Sequence, residues 1–185
     1  FIFIVLFSII LLIAYLSIFG FETTKFNSKI INKIEKIDKD LKIELKKIKI
    51  VLNPLELKLS VKTVGPKLKH KNKVINLERI NANILLSSFF NDNFNVSSLE
   101  ISTNSLKIND LISFSRSLKQ KPELFILERI IKKGYLVADI NIKFDPKDGT
   151  INDYKINGFV KDAKIQLTNK FDIKNCDLIF TLKKE

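Results

Sequence analysis

The 185-residue chain has one histidine, one cysteine, no methionine and no tryptophan, with five glycines and four prolines. Each scarcity excludes something. A lone cysteine, Cys176, rules out an internal disulfide. A zinc site of the usual kind draws on several His or Cys, and here there is one of each. His70 stands between Lys69 and Lys71 and reads as a solvated loop histidine rather than a base or a ligand. Cys176 falls in phase with Leu178 and Phe180, which predicts a buried core residue. The glycines are scattered and form no phosphate-binding loop. The acidic residues mostly alternate with apolar ones at outward positions, so the groups used in acid–base and covalent catalysis are not assembled. The expectation is a protein that is not an enzyme and holds no cofactor or metal. Arg79, Arg116 and Arg129 are the only arginines. Nucleic-acid binding would favour clustered Arg, a stacking aromatic face or a known motif, so nucleic acid is not an expected partner.

What is abundant is lysine, and the net charge is +12. Two readings stay open. The lysines form a solvated outer surface, or they draw the chain to anionic headgroups at about 1 kcal/mol per Lys close to a membrane surface.

The stretch from Phe1 to Phe19 carries no charge and no proline. A bilayer core needs about 20 apolar residues in a helix, and backbone groups in lipid must bond internally. The segment 1–20 is therefore expected to be a transmembrane anchor. A cleaved signal peptide would have a shorter apolar stretch and a small residue at the cleavage site, where Ser17-Ile18-Phe19 places a bulky Phe. A chain that opens on Phe and has no Met is expected to be part of a longer protein. Lys25, Lys29 and Lys33 would keep the following side cytoplasmic by the positive-inside rule, but long domains translocate largely regardless of charge. Charge alone leaves the orientation open.

Residues 21–40 predict an amphipathic helix. Thr23 or Thr24 can cap it, and Phe26, Ile30, Ile34, Ile37 and Leu41 recur on one face while Lys29, Lys33 and Lys36 fall elsewhere. Such a helix either lies in the membrane interface or plugs the end of the sheet that follows.

From Leu41 the period changes from 3.6 to 2. The first strand is expected over Leu41 to Leu52, with a β-bulge where the phase slips at Lys46-Lys47. Asn53-Pro54 reads as a turn. Leu55, Leu57, Leu59 and Val61 then alternate with Glu56, Lys58, Ser60 and Lys62. Gly65-Pro66 breaks this strand, and a basic loop is expected through Lys73. Further alternating runs follow at Ile80 to Leu86 and, after a polar loop around Asn91-Asp92-Asn93, at Val96 to Thr103, with a short pair at Leu106 and Ile108. Asn109 or Asp110 can cap a helix carrying Leu111, Phe114 and Leu118. Pro122 to Lys133 is ambiguous between a helix and a hairpin arm. Leu136 to Phe144 and Tyr154 to Val160 form a hairpin about the Asp148-Gly149 turn. Ala163 to Leu167 and Cys176 to Leu182 complete about nine short antiparallel strands.

Most of these strands have one apolar face, and that face needs a cover. A sandwich folds one half of the strands over the other. Short connections instead favour sequential pairing, which makes one long curved sheet with an apolar face that a few short helices cannot close. An exposed apolar face of that size normally marks a binding surface.

The layout resembles the N-terminal region of the AsmA-like family, the TamB/YhdP type of bridge-like lipid transport proteins. The likeness rests on the uncharged anchor, the helix Thr24 to Ile37 and the first strand Leu41 to Leu52. It continues in Val64-Gly65-Pro66-Lys67-Leu68, similar to a Gly-Pro-x-Leu stretch of the YhdP branch, and in Leu77-Glu78-Arg79-Ile80-Asn81-Ala82. The run from Asp153 to Ala163 also resembles a segment of such proteins. The likeness covers nearly the whole chain, but as a pattern.

What the resemblance implies is a bacterial inner-membrane protein with a single-pass anchor and a periplasmic body. Its helix 21–40 would be chorein-like. Its domain 41–185 would be part of a longer β groove that carries phospholipid toward the outer membrane. The implied fold is mainly β: a transmembrane helix, a short amphipathic helix, then a curved antiparallel β-sheet forming an apolar groove, with one or two short helices. The groove-lining candidates are Leu55, Leu57, Leu59 and Val61, then Ile80 and Ile84, then Leu136, Ala138, Ile140 and Ile142, and finally Ile156, Leu178 and Phe180. Phe26, Ile30 and Ile34 would meet the membrane interface. The implied partners are phospholipid, the membrane and other envelope proteins. The alternative is an anchored periplasmic scaffold, or outer-membrane assembly factor, with a closed core.

Overall fold

A computed structural model describes residues 1–89, 96–145, 148–168 and 171–184; the expected loop at Asn91-Asp92-Asn93 lies outside them. Four α-helices and eleven strands make up the described chain: α1 (Ile2–Ile18), β1 (Phe21–Thr23), α2 (Asn27–Ile37), β2 (Leu41–Glu44), β3 (Ile48–Asn53), β4 (Lys58–Val64), β5 (Lys67–His70), β6 (Lys73–Leu85), β7 (Val96–Thr103), β8 (Leu106–Lys107), α3 (Ile108–Leu118), α4 (Pro122–Ile130), β9 (Ile131–Phe144), β10 (Ile151–Thr168) and β11 (Phe171–Lys183). The protein is mainly β, a large open antiparallel sheet with a few helices.

Helix α1 is apolar on every side, and none of its residues is buried. It is 17 residues long. Among the described residues, no helix is long and apolar enough to cross a membrane. Gly20 ends it with φ +63° and sits so close to β3 that a Cβ there would stand 2.3 Å from the Ile50 carbonyl oxygen. Only glycine fits both the left-handed backbone and that approach.

The sheet runs β1-β3-β4-β6-β7-β9-β10-β11, with neighbours antiparallel throughout. This is the sequential pairing that short connections favour. The expected first strand is divided in two. Leu45 to Lys47 carry no strand structure, and the two halves join different partners: β2 pairs β5, whereas β3 pairs β1 and β4. The phase slip therefore marks a change of sheet partner rather than a bulge. The expected basic loop before Lys73 is mostly the short strand β5, hairpinned to β6. At Gly65-Pro66 the chain passes from β4 to β5 without leaving β6, since Gly65 N–H donates to Glu78 O at 2.7 Å and Leu77 N–H to Pro66 O at 3.0 Å. One strand, β6, thus serves both parts of the sheet.

The helices depart from expectation at their ends. Thr23 belongs to β1 and does not cap α2. The N-cap is Phe26, with no side-chain cap bond. Helix α3 starts at Ile108, so neither Asn109 nor Asp110 caps it; Asp110 lies in the first turn instead, where a carboxylate favours the helix dipole. The ambiguous stretch resolves as helix to Ile130 and strand from Ile131. Arg116 and Glu128 pair between α3 and α4, Ser113 Oγ donates to Glu128 at 3.1 Å, and the Arg116 guanidinium lies 4.9 Å from the centre of the Phe125 ring. Residues Ala163 to Leu167 continue β10 rather than forming a strand of their own, past an irregularity where Asp162 takes φ +51°.

The packed core sits at one end of the sheet. Ile75, Leu77 and Phe114 are its centre, with Leu41, Leu68, Ile80, Ile101, Leu106 and Leu111 packed around them. Phe114 and Leu111 come from α3, which lies on β6, β8 and β9.

Candidate functional site

Pairing places one largely apolar row across the sheet from β3 to β11. Ile48 faces Thr63, which faces Ile80, and the row continues through Ile101, Ile140 and Ile156 to Leu182. A second row runs Phe21, Ile50, Val61, Ala82, Leu99, Ile142 and Tyr154. A third joins Leu52, Leu59, Ile84 and Val96. Because side chains alternate across a strand, the same pairings put a polar ladder on the other face. There Ser60 and Asn83 bond at 2.5 Å, Asn83 and Ser98 at 2.9 Å, Asn81 and Glu100 at 3.0 Å, and Ser102 and Asp139 at 2.7 Å.

The apolar face is closed at one end and open at the other. Ile48 is fully buried, Ile50 and Ala138 are buried, and α3 packs Phe114 onto Ile75 and Leu77. Leu52, Leu59, Val61, Ala82, Ile84, Leu99, Ile140, Ile142 and Ile156 are only half-buried. Toward β11 the face opens further, with Leu178 and Leu182 each 53% exposed. Phe180 lies over Gly158, and a Cβ at that glycine would meet its ring at 2.2 Å.

Eleven of the thirteen groove candidates therefore fall on strands of one sheet face. These are Leu59, Val61, Ile80, Ile84, Leu136, Ala138, Ile140, Ile142, Ile156, Leu178 and Phe180. Leu55 and Leu57 do not. Residues Pro54 to Leu57 form the turn between β3 and β4, and the strand begins only at Lys58. Leu55 is 95% exposed, and Leu57 takes φ +49°. Pro54 starts the turn, and Glu56 N–H is held by Asn53 Oδ1 at 3.2 Å, so the alternation before Lys58 is accidental. Phe26, Ile30 and Ile34 are half-buried, on a helix that packs against β2. Cys176 is half-buried on β11 rather than in the core.

Sequence reasoning missed two features. Val137, Phe159 and Ile179 pair across β9, β10 and β11 and put an exposed apolar strip on the face that carries the polar ladder. Their outward parity against Leu136 and Ala138 was readable.

The second is His70, which is 2% exposed and is not a loop residue. Its Nδ1 lies 2.8 Å from Ser117 Oγ on α3, its Nε2 lies 3.4 Å from Asp38 Oδ2 at the end of α2, and its ring meets Phe114 edge-on. The signal was present: Leu68 and His70 alternate with Lys67, Lys69 and Lys71 in strand period, which puts the histidine on the inner face.

Cavities among the described residues open elsewhere than along the length of the apolar rows. One of about 630 Å³ opens between α2 and the β2–β5 pair, beside Ile31, Glu35, Asp40, Glu44 and Lys69. The hydrogen bond from Lys69 holds the Glu44 carboxyl below the usual carboxylate range. A second, of about 330 Å³, lies among Arg79, Glu100, Asp139 and Lys155 on the polar face and reaches Ile101 and Ile140. The apolar rows themselves form an open wall. Compared with known proteins, the chain matches no family model, no curated protein and no solved structure.

Proposed function

We propose that this chain is a membrane-anchored, lipid-binding segment of the AsmA-like kind, whose apolar sheet face conducts phospholipid between the inner and outer bacterial membranes. The observation that carries the reading is the row from Ile48 to Leu182, apolar but for Thr63, buried at its β3 end, half-buried from Ile80 to Ile156 and exposed at Leu182. Each acyl CH₂ moved from water to an apolar wall gains about 0.8 kcal/mol. A chain of about 16 carbons gains roughly 12 kcal/mol on the same scale, so shielding from water is the whole task and no reacting group is needed. The headgroup stays outside, near the lysines. In this reading α1 is the anchor. Its 17 residues rise about 26 Å at 1.5 Å per residue, short of a hydrocarbon core of about 30 Å, so this reading requires the bilayer to thin around it. The body then lies in the periplasm and continues the groove in a longer protein.

The test is photo-crosslinking in cells. A photoreactive residue at Ile140 or Ile84 captures phospholipid, and one at Asn141 or Asn83, on the polar face, does not. A reporter fused after Leu182 is active in the periplasm; activity confined to the cytoplasm removes the reading.

The second reading is an anchored scaffold or outer-membrane assembly factor. The packed Ile75–Leu77–Phe114 cluster favours it, because one end of the same face is already closed by protein. Capture of protein alone at Ile140 and Ile84 supports that reading instead.

A further inference from the structure

The described residues hold one cluster of ionisable side chains with the reach to share an ion. The carboxylates of Asp38 and Asp40 and a ring nitrogen of His70 all lie within 4.8 Å of one another. Asp38 ends α2, Asp40 lies in the turn before β2, and His70 ends β5.

The ring of His70 is held from behind. Its Nδ1 is 2.8 Å from Ser117 Oγ, and that hydroxyl donates to the Phe114 carbonyl at 2.7 Å. With its proton committed there, Ser117 Oγ accepts from Nδ1–H. That leaves Nε2 as the ring atom turned toward Asp38 Oδ2, 3.4 Å away. A charge-assisted N–H···O⁻ bond closes to about 2.7–2.9 Å, so this pair is not drawn together as one. Two donors of a tetrahedral metal with bonds near 2.1 Å stand about 3.4 Å apart. The buried ring nitrogen and the two carboxylates thus converge within 4.8 Å from three separate segments, and neither Asp38 nor Asp40 is bridged to a lysine among the described residues.

We propose that Asp38, Asp40 and His70 bind one divalent transition-metal cation of the zinc class. Nε2 and one oxygen from each carboxylate supply three ligands, and water fills the rest from the side where Asp40 is exposed. Ser117 is the outer partner that fixes the ring tautomer, as metal-binding histidines require. The two carboxylates and a neutral imidazole match the ion in charge. The bound ion ties the end of α2 to β5 and, through Ser117, to α3. This inference is independent of the lipid reading.

The test uses the full chain in detergent, with Cys176→Ser removing the only thiol. Because the chain has a single histidine, every imidazole signal belongs to His70. Titration with Co²⁺ should give ligand-field absorption that saturates at one ion per chain. Zn²⁺ should bleach that absorption and shift the imidazole Nε2 resonance far more than Nδ1. Asp38→Asn and Asp40→Asn should each weaken Co²⁺ at least tenfold while circular dichroism stays unchanged. An imidazole unmoved by millimolar Zn²⁺, or Co²⁺ affinity unaffected in both Asn variants, would overturn the proposal. So would an imidazolium that persists at neutral pH in the presence of excess metal.

Discussion

The ring of Phe180 fills the space that a side chain at Gly158 would need, with its Cζ 2.2 Å from where a Cβ would stand. The two residues face each other across β10 and β11, so the outermost strand is held partly by an aromatic laid on a bare backbone. Gly158→Ala should lift the ring and cost about 1–3 kcal/mol, the usual range for overpacking. Denaturant unfolding measures the loss, and Phe180→Leu in the same chain should recover part of it.

The closed and open ends of the apolar face should answer truncation differently. Ile48 is fully buried, and Ile48→Ala should cost about 2–5 kcal/mol. Ile84 is only half-buried, so Ile84→Ala should lose less transfer free energy and leave no sealed cavity, at a cost below about 2 kcal/mol. Urea unfolding of both variants compares them. Equal losses would mean that the Ile84 region is covered by protein in the native state.

Charge on the apolar face should separate binding from stability. Ile140→Asp sets a carboxylate among Ile101, Ile156 and Ile142, at a cost of several kcal/mol wherever acyl chains displace water from it. Lipid recovered by mass spectrometry should fall severalfold while the protein still accumulates. Asn141→Asp, on the opposite face, should leave lipid capture unchanged.

The β9–β10 turn should lose an acid-sensitive tie. Asp148 accepts from Thr150 N–H at 2.9 Å and from Thr150 Oγ1–H at 2.8 Å. The backbone bond, then the hydroxyl bond, hold its carboxyl below the ordinary aspartate range. A depressed carboxylate stabilises the fold above its unfolded-state value, and that contribution is lost as pH falls through the folded-state value. Protection of the Thr150 amide, relative to its intrinsic exchange rate, should therefore be lost only as pH falls below the ordinary aspartate range. Asp148→Ala should lack that protection at every pH.

Much of the sheet was legible because its signal is local. Alternation at Ile80 to Ile84 and Leu136 to Ile142 fixes which side chains share a face, and short links fix which strands pair. The errors arise where alternation continues by accident or where burial is decided from afar. Leu55 and Leu57 keep the right parity, but Pro54 and Asn53 turn the chain beneath them. His70 lies in strand phase with Leu68, yet its burial depends on α2 and α3 closing from distant parts of the chain. The split between β2 and β3 was visible as a slip of phase, but which partner each half takes is set by β5 and β4, not by the slip itself.

The order of strands in the sheet also bears on how the chain acquires its structure. Neighbours in space are near neighbours in sequence, and the longest detours are those around α2 between β1 and β3 and around α3 and α4 between β7 and β9. Local pairing of this kind keeps contact order low for a β protein, and low contact order speeds folding. Strands can thus be laid down one after another as the polypeptide emerges, each finding its template already in place. Growth by one further hairpin at the β11 edge would ask nothing of the strands already formed.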